Sequence, residues 1–153
     1  MATPGVERLF VDTNILVYAT DADSPWHSAA ENELEAWRRQ GTEMHISVQV
    51  LREYLAVTTR QAAGQPPPPD FNAILENLGV FRTSFQVSED TRAVSVQLGE
   101  LMRQFSVQGR QVHDAKIVAT MQVQGLSDLL THNTGDFTRY SALITVHPLV
   151  PAS

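Results

Sequence analysis

The chain has 153 residues, of which 42% are hydrophobic and 18% charged, and this composition excludes a disordered or a fibrous protein. Seventeen acidic against eleven basic residues give a net charge of -6, which disfavours a general phosphate-binding surface. The absence of cysteine from the sequence excludes disulfide frameworks, thiolate metal sites and cysteine nucleophiles. The length predicts one domain over residues 1–153.

The amino-terminal stretch carries neither a basic region nor a long apolar run before its first acidic residue, so we predict no signal peptide. No apolar run approaches the roughly twenty residues that a membrane-spanning helix needs. We therefore expect a soluble, cytoplasmic protein with no membrane partner.

Short apolar runs alternate with amphipathic segments along the chain. The runs typical of strands are residues 8–12, 44–47, part of 80–87, 128–132 and 143–147. Helical spacing or helix-start residues predict helices from residue 13, over 25–40, 48–63 and 70–78, from a cap at Ser88 to 107, and over 112–124. This alternation predicts an α/β fold: a three-layer αβα sandwich around a central, mainly parallel sheet.

Two connections have a distinctive composition. Residues 65–69 (QPPPP) cannot lie inside a helix, because proline lacks the backbone donor and restricts the residue before it. We interpret them as a stiff surface loop, the alternative being a ligand for a proline-binding module. Residues 133–136 (NTGD) predict a polar turn between the last two strands.

Four acidic residues stand at strand ends or on apolar helix faces. Asp12 closes the first predicted strand, and Asp136 follows a later strand in a turn. Glu53 and Asp114 share helix faces with apolar residues, and no basic residue stands at helical spacing from Glu53. Taken singly, Asp12 is explained as a helix cap, Asp136 as a turn residue and Asp114 as an acid at a helix start.

Taken together, the same acids predict a metal site. Residues at the carboxyl ends of parallel strands, and in the first turns of the helices that follow, converge on one crevice. Four carboxylates there would repel one another without a cation. Oxygen-only ligands favour hard divalent ions, so we expect Mg²⁺ or Mn²⁺ instead of zinc.

Four segments resemble the PIN-domain family, and most closely its VapC-type ribonuclease toxins. They are VDTNILVYA at 11–19, SVQVLREYL at 47–55, HDAKIVATM at 113–121 and LLTHNTGDF at 129–137. They occur in the family's order across nearly the whole chain. The resemblance implies a central parallel sheet flanked by helices, and an acidic site dependent on magnesium or manganese that cleaves RNA phosphodiesters.

The resemblance also implies roles for particular residues and partners. The positions that match the family's four acids, as catalytic residues and metal ligands, are Asp12, Glu53, Asp114 and Asp136. Thr131 and Asn133 match the family's supporting polar positions. The implied partners are an RNA substrate, a small antitoxin protein and a second copy of the chain in a homodimer.

Other residues are candidates for substrate contacts or proton transfer. Because Lys116 is the only lysine, contacts with RNA phosphates would fall to arginines, and the candidates are Arg60, Arg103, Arg110 and Arg139. Each of these is equally explained as solvated surface. His113 and His132 flank the acidic motifs and are candidate acids, although lone histidines are more often structural or exposed.

The sequence is compatible with three functions. The first is hydrolysis of RNA by metal-activated water, with Asp114 or Asp136 as a candidate base. The second is a non-catalytic PIN-like module that binds RNA or protein, for which an incomplete acidic set would be expected. The third is a phosphohydrolase with Asp12 as its nucleophile, although Asn14 stands where the haloacid-dehalogenase-like pattern has its second aspartate.

Overall fold

The computed structural model describes residues 1–149. The strands in these residues are β1 (Arg8–Val11), β2 (Glu43–Ser47), β3 (Gln86–Ser88), β4 (Asp128–Thr131) and β5 (Thr145–Pro148). The α-helices are α1 (Thr13–Thr20), α2 (His27–Arg39), α3 (Val48–Thr58), α4 (Phe71–Ser84), α5 (Arg92–Phe105) and α6 (Gln111–Val123), and a 3-10 helix covers Thr134–Tyr140. No helix within residues 1–149 is long and apolar enough to cross a membrane.

The strands form one sheet in the order β3-β2-β1-β4-β5, and every pairing in it is parallel. The predicted α/β fold is therefore confirmed, with a sheet that is parallel throughout. Leu9, Phe10 and Val11 of the central strand β1 are each 0% exposed, as expected for a strand whose two faces are both covered.

The strand order reverses between β1 and β4. The chain leaves β1 toward β2 and β3 on one side, and leaves β4 toward β5 on the other. Right-handed crossovers then place α1 to α4 on one face and α5, α6 and the 3-10 helix on the other. The helix contacts agree, because α1 packs on α2 and α3 whereas α5 packs on α6. The carboxyl ends of β1 and β4 are thus the switch point at which open α/β sheets bind ligands.

Several predicted boundaries were wrong. Helix α3 ends at Thr58 instead of residue 63, because the hydroxyls of Thr58 and Thr59 donate to the carbonyls of Tyr54 and Leu55 and compete with the helical pattern. Helix α4 continues past residue 78 to Ser84, since buried Phe81 extends its apolar face.

The elements around the third strand also differ from the predicted ones, because α4 is longer than predicted. The longer α4 leaves only Gln86–Ser88 for β3, so Ser88 closes a strand and does not cap a helix. Thr91 caps α5 instead, and its Oγ1 accepts a hydrogen bond from the backbone N of Val94 at 3.3 Å.

The connection between the last two strands is longer than the predicted turn. It contains the 3-10 helix Thr134–Tyr140, and β5 begins at Thr145 instead of residue 143. A tight turn cannot join parallel strands, because the chain must return to the starting edge before it enters the next strand. Residues 65–69 lie outside helices and strands and are largely exposed, as predicted for a surface loop.

Candidate active site

Asp12 lies at the switch point, between β1 and α1. Its backbone N donates to the carbonyl of Leu130 at 3.0 Å, so the pairing of β1 with β4 continues to this residue. Its side chain is 6% exposed and accepts three hydrogen bonds. The donors are the backbone N of Thr13 at 2.8 Å, Nδ2 of Asn14 at 3.1 Å and Oγ1 of Thr131 at 2.7 Å. The carboxylate therefore caps α1 and is held in one orientation.

Thr131 connects the end of β4 to the same corner. Its hydroxyl is buried, donates to Asp12, and accepts from the backbone N of Asn133 at 3.1 Å and from Nδ2 of Asn14 at 3.2 Å. Asn14 Oδ1 in turn accepts from the backbone N of His132 at 3.0 Å. These bonds hold the β1–α1 junction against the segment after β4.

Glu53, in the middle of α3, is held by two neutral donors. Thr13 Oγ1 donates to Glu53 Oε2 at 3.0 Å, and Gln49 Nε2 donates to Glu53 Oε1 at 2.9 Å. Gln49 Nε2 also donates to the backbone carbonyl of His113 at 2.9 Å, while Gln49 Oε1 is buried without a partner in the described residues. Glu53 is therefore fixed where α1, α3 and α6 meet.

Asp114 lies in the first turn of α6 and is half-buried. Its pKa is raised to about 7, and burial of the carboxyl is the largest cause. The negative charges of Asp12, Asp136 and Glu53 raise it further, in that order. Asp114 thus lies within electrostatic reach of the other three carboxylates, although the four come from separate segments of the chain.

Burial also raises the pKa of Asp12, and the charge of Glu53 adds to this effect. Hydrogen bonds from Thr131, Thr13 and Asn14 oppose the shift by stabilising the ionised form. The described residues provide no further compensation, because no basic side chain within residues 1–149 pairs with the carboxylates at this corner.

The environment of Asp136 differs from that of the other three acids. It is exposed, lies in the first turn of the 3-10 helix, and its backbone N donates to the carbonyl of Asn133 at 3.2 Å. Asn133 itself is exposed and lines the cleft described below. Asn133 and Asp136, both in the segment after β4, therefore face solvent. The negative charge of Asp136 nevertheless raises the pKa of Asp114.

An open cleft of about 650 Å³ lies over these acids. Asp12, Glu53 and Asp114 line it together with Arg60, Arg110 and His113, whereas Asp136 does not. Two of the four arginines proposed from the sequence thus reach the cleft.

The remaining candidates lie elsewhere. Arg103 pairs with Glu100 one helical turn away, and Arg139 Nη1 donates to Gln111 Oε1 at 3.3 Å. His132 packs its ring against Trp26, with ring centroids 4.6 Å apart, and His113 is exposed at the cleft.

The donor set can be compared with the needs of a divalent ion. Clustered carboxylate oxygens with no basic partner, two of them on carboxyls with raised pKa values (Asp12 and Asp114), suit a hard cation such as Mg²⁺ or Mn²⁺. Within residues 1–149, no three acidic or histidine side chains are grouped tightly enough to hold an ion as they stand. Like charges separate when no cation lies between them. The acids fit a divalent ion in chemistry and charge, and gathering their oxygens around it requires side-chain movement.

Three polar residues of the site were missed from the sequence: Asn14, which donates to Asp12, and the two residues that donate to Glu53. Thr13 and Gln49 hold Glu53, and each has a signal that could have identified it. Gln49 precedes Glu53 by four residues, which is the spacing of neighbours on a helix face. Thr13 directly follows the first acid, but its contact with Glu53 depends on how α1 packs against α3.

Comparison with known proteins gives one family and a set of similar folds. The PIN domain family matches residues 9–143. No curated protein gives a match. The fold is similar to that of VapBC2 from Rickettsia felis bound to a DNA fragment from its promoter, with 20% identity, a TM-score of 0.68, and coverage of 92% of this chain and 98% of that chain.

Two further solved structures are similar at the level of the fold. A toxin-antitoxin complex from Klebsiella pneumoniae has 20% identity and a TM-score of 0.66, over 94% of this chain and 99% of that chain. VapC20 from Mycobacterium tuberculosis, a toxin that cleaves the sarcin-ricin loop, has 17% identity and a TM-score of 0.66, over 90% of this chain and 96% of that chain.

Proposed function

The chain belongs to the PIN domain family, and on that premise we propose that it is a divalent-metal-dependent endoribonuclease, the toxin of a type II toxin–antitoxin pair. The observation that carries the proposal is the half-buried carboxyl of Asp114, whose pKa is raised to about 7 by burial and by three other carboxylates. Such clustered charge is costly to the fold and is expected where it serves binding or catalysis.

Each acid has a proposed part in the reaction. Asp12, Glu53, Asp114 and Asp136 would hold Mg²⁺ or Mn²⁺, which when bound activates water and neutralises charge on a phosphodiester. Either Asp114 or Asp136 would accept the proton of the attacking water at a carboxylate oxygen.

The neutral neighbours of the acids would position them. Thr131 and Asn14 orient the carboxylate of Asp12, and Thr13 and Gln49 orient that of Glu53. These hydrogen bonds would limit how far Asp12 and Glu53 move when the acids gather around a cation. Asn133, exposed in the cleft, would supply a further polar contact.

The cleft offers few cations, and they lie close to the acids. Arg60 and Arg110 line it and are exposed, so they would contact phosphates on either side of the cleaved bond. A chain with a net charge of -6 would therefore attract RNA only locally. This activity would take place in the cytoplasm, where RNA is available.

The structural neighbours support one of the proposed partners. VapBC2 of Rickettsia felis was solved bound to a DNA fragment from its promoter, and the Klebsiella pneumoniae structure is a toxin-antitoxin complex. We infer from the second of these a small antitoxin that covers the cleft, and we propose a homodimer of this chain from the family resemblance alone.

The proposal is tested by incubating total RNA with purified, partner-free protein and Mg²⁺, Mn²⁺ or a chelator. The expected result is a set of discrete fragments that requires the metal and is lost in Asp114→Asn. Asp70→Asn is the matched control, because Asp70 is exposed, makes no side-chain cap and does not line the cleft.

The same assay identifies the alternative function. Binding of RNA without cleavage in either metal would support a non-catalytic PIN-like module. The observation that favours this module is that Asp136 does not line the cleft with the other three acids.

A further inference from the structure

The cleft has an aromatic part that the proposed chemistry does not use. Tyr18 lines the cleft beside the apolar side chains of Val17, Ala56 and Val57. Its ring is only partly buried, and its hydroxyl makes no hydrogen bond within residues 1–149. The carboxylates of the cleft are suited to a cation and its arginines to phosphates. The aromatic and apolar surface is suited instead to a neutral, flat ligand.

Tyr18 is backed by two more partly buried rings. The ring of His132 lies edge-on to that of Tyr18, with centroids 5.5 Å apart, and the ring of Trp26 lies 4.6 Å from His132. The three residues come from α1, from the start of α2 and from the segment after β4. The contacts restrict the Tyr18 ring, so it would present its surface to a ligand at a low entropic cost.

This aromatic group is coupled to the acids by hydrogen bonds. The backbone N of His132 donates to Asn14 Oδ1 at 3.0 Å, and Asn14 Nδ2 donates to Asp12 Oδ2 at 3.1 Å. Two hydrogen bonds therefore set the position of the rings relative to the first acid. A ligand that stacks on Tyr18 would be held at a defined place beside the carboxylates.

We propose that Tyr18, supported by His132 and Trp26, stacks against an unpaired nucleobase next to the phosphate that is cleaved. Unpaired RNA bases stack on aromatic side chains, and paired bases within a helix cannot do so. This inference rests on the proposed function and makes it more specific, because it assigns to Tyr18 the positioning of a substrate base beside the carboxylates.

The test measures binding and not cleavage, in the Asp114→Asn protein with Mg²⁺. The probes are a decamer of uridylate and a decamer of the same ribose-phosphate backbone without bases. Tyr18→Leu keeps an apolar side chain and should weaken binding of the uridylate decamer by roughly 5- to 150-fold, the range expected when one stacked base loses its aromatic partner. It should leave the affinity for the base-free decamer unchanged within about twofold.

Two further variants separate stacking from packing. Tyr18→Phe keeps the ring and should bind both decamers as the parent does. Phe71→Leu is the matched control, since Phe71 is a half-buried aromatic residue that does not line the cleft. Its affinity for both decamers should stay within about twofold of the parent's.

The outcomes distinguish this inference from the proposed function. Equal weakening for both decamers by Tyr18→Leu, or no weakening for either, would overturn the stacking role while leaving cleavage of RNA to its own assay. Failure of the Asp114→Asn protein to bind the uridylate decamer would overturn it as well. Base-dependent weakening together with an absence of metal-dependent cleavage by the unmodified protein would support the stacking role and contradict the nuclease.

Discussion

Thr131 Oγ1 donates a hydrogen bond of 2.7 Å to Asp12 Oδ2, across 119 residues of sequence. Thr131 is 0% exposed and Asp12 is 6% exposed, so water cannot easily replace either partner. The parallel pairing of β1 with β4 brings the two residues together at the switch point of the sheet. The hydroxyl of Thr131 thus offsets part of the free-energy cost of burying the Asp12 carboxylate.

Replacing Thr131 by Val keeps the shape of the side chain and removes that hydroxyl. The free energy of unfolding should fall by about 1–3 kcal/mol, because the buried carboxylate of Asp12 loses a donor and two partly buried donors lose their acceptor. Urea unfolding followed by circular dichroism measures this. Thr138→Val is the control, since Thr138 is exposed and outside the cleft; an equal decrease in stability in both variants would contradict the assigned role of Thr131.

Asp114 makes the stability of the metal-free protein depend on pH. The pKa of its carboxyl is about 7 in the folded chain and near the usual 3.8 in the unfolded chain, so the folded state holds the proton more tightly. The resulting stabilisation is complete below pH 4, decreases as the pH rises toward 7, and is absent above it.

Asp114→Asn tests this dependence because its side chain stays neutral. In a chelator, the variant should be more stable than the unmodified protein at pH 8.5 by on the order of 1–2 kcal/mol, allowing for partial solvent screening. At pH 4 the two should unfold alike. A difference that does not change between these pH values would contradict the raised pKa of Asp114.

Divalent ions should stabilise the folded chain. An ion that binds only the folded state adds about 2.7 kcal/mol when its free concentration is 100 times its dissociation constant. Thermal unfolding with increasing Mg²⁺ or Mn²⁺ should therefore show a rising Tm. The rise should be absent in Asp12→Asn, which retains an oxygen to accept from the backbone N of Thr13. An undiminished rise in that variant would remove Asp12 from the set of ligands.

The sequence pattern predicts much of this arrangement, since each strand end and helix start has a local signal. Asp12 closes an apolar run, and Asp114 lies in the first turn of a helix, so both acids can be placed from local sequence signals. The contact of Glu53 with Gln49 follows from their spacing on α3, whereas its contact with Thr13 cannot be predicted in this way, because Thr13 meets Glu53 only after α1 and α3 have packed together.

The boundaries that were wrong also depend on tertiary structure. Phe81 extends α4 because the core buries it, and the 3-10 helix exists because a parallel β5 requires a crossover. Whether the four acids are the catalytic residues stays a prediction from the family resemblance.

Arg60 and Arg110 should contribute to RNA affinity through phosphates. Changing either to Ala should weaken binding by up to about fivefold, as for an exposed charge pair. The slope of log affinity against log salt should become shallower by about 0.7 for each phosphate that the variant no longer neutralises. Arg103→Ala is the control, because Arg103 is exposed and paired with Glu100. Equal salt slopes for all three variants and the unmodified protein would show that RNA phosphates do not bind at Arg60 or Arg110.

The central claim is that the acids around Asp114 support metal-dependent cleavage of RNA. Its most direct test is the cleavage rate of one RNA by a single preparation that is first chelated and then supplied with Mg²⁺ or Mn²⁺, beside Asp114→Asn. We predict no cleavage after chelation, recovery when the ion is added, and no recovery in the variant. Cleavage that survives chelation, or that recovers equally in Asp114→Asn, would contradict the claim.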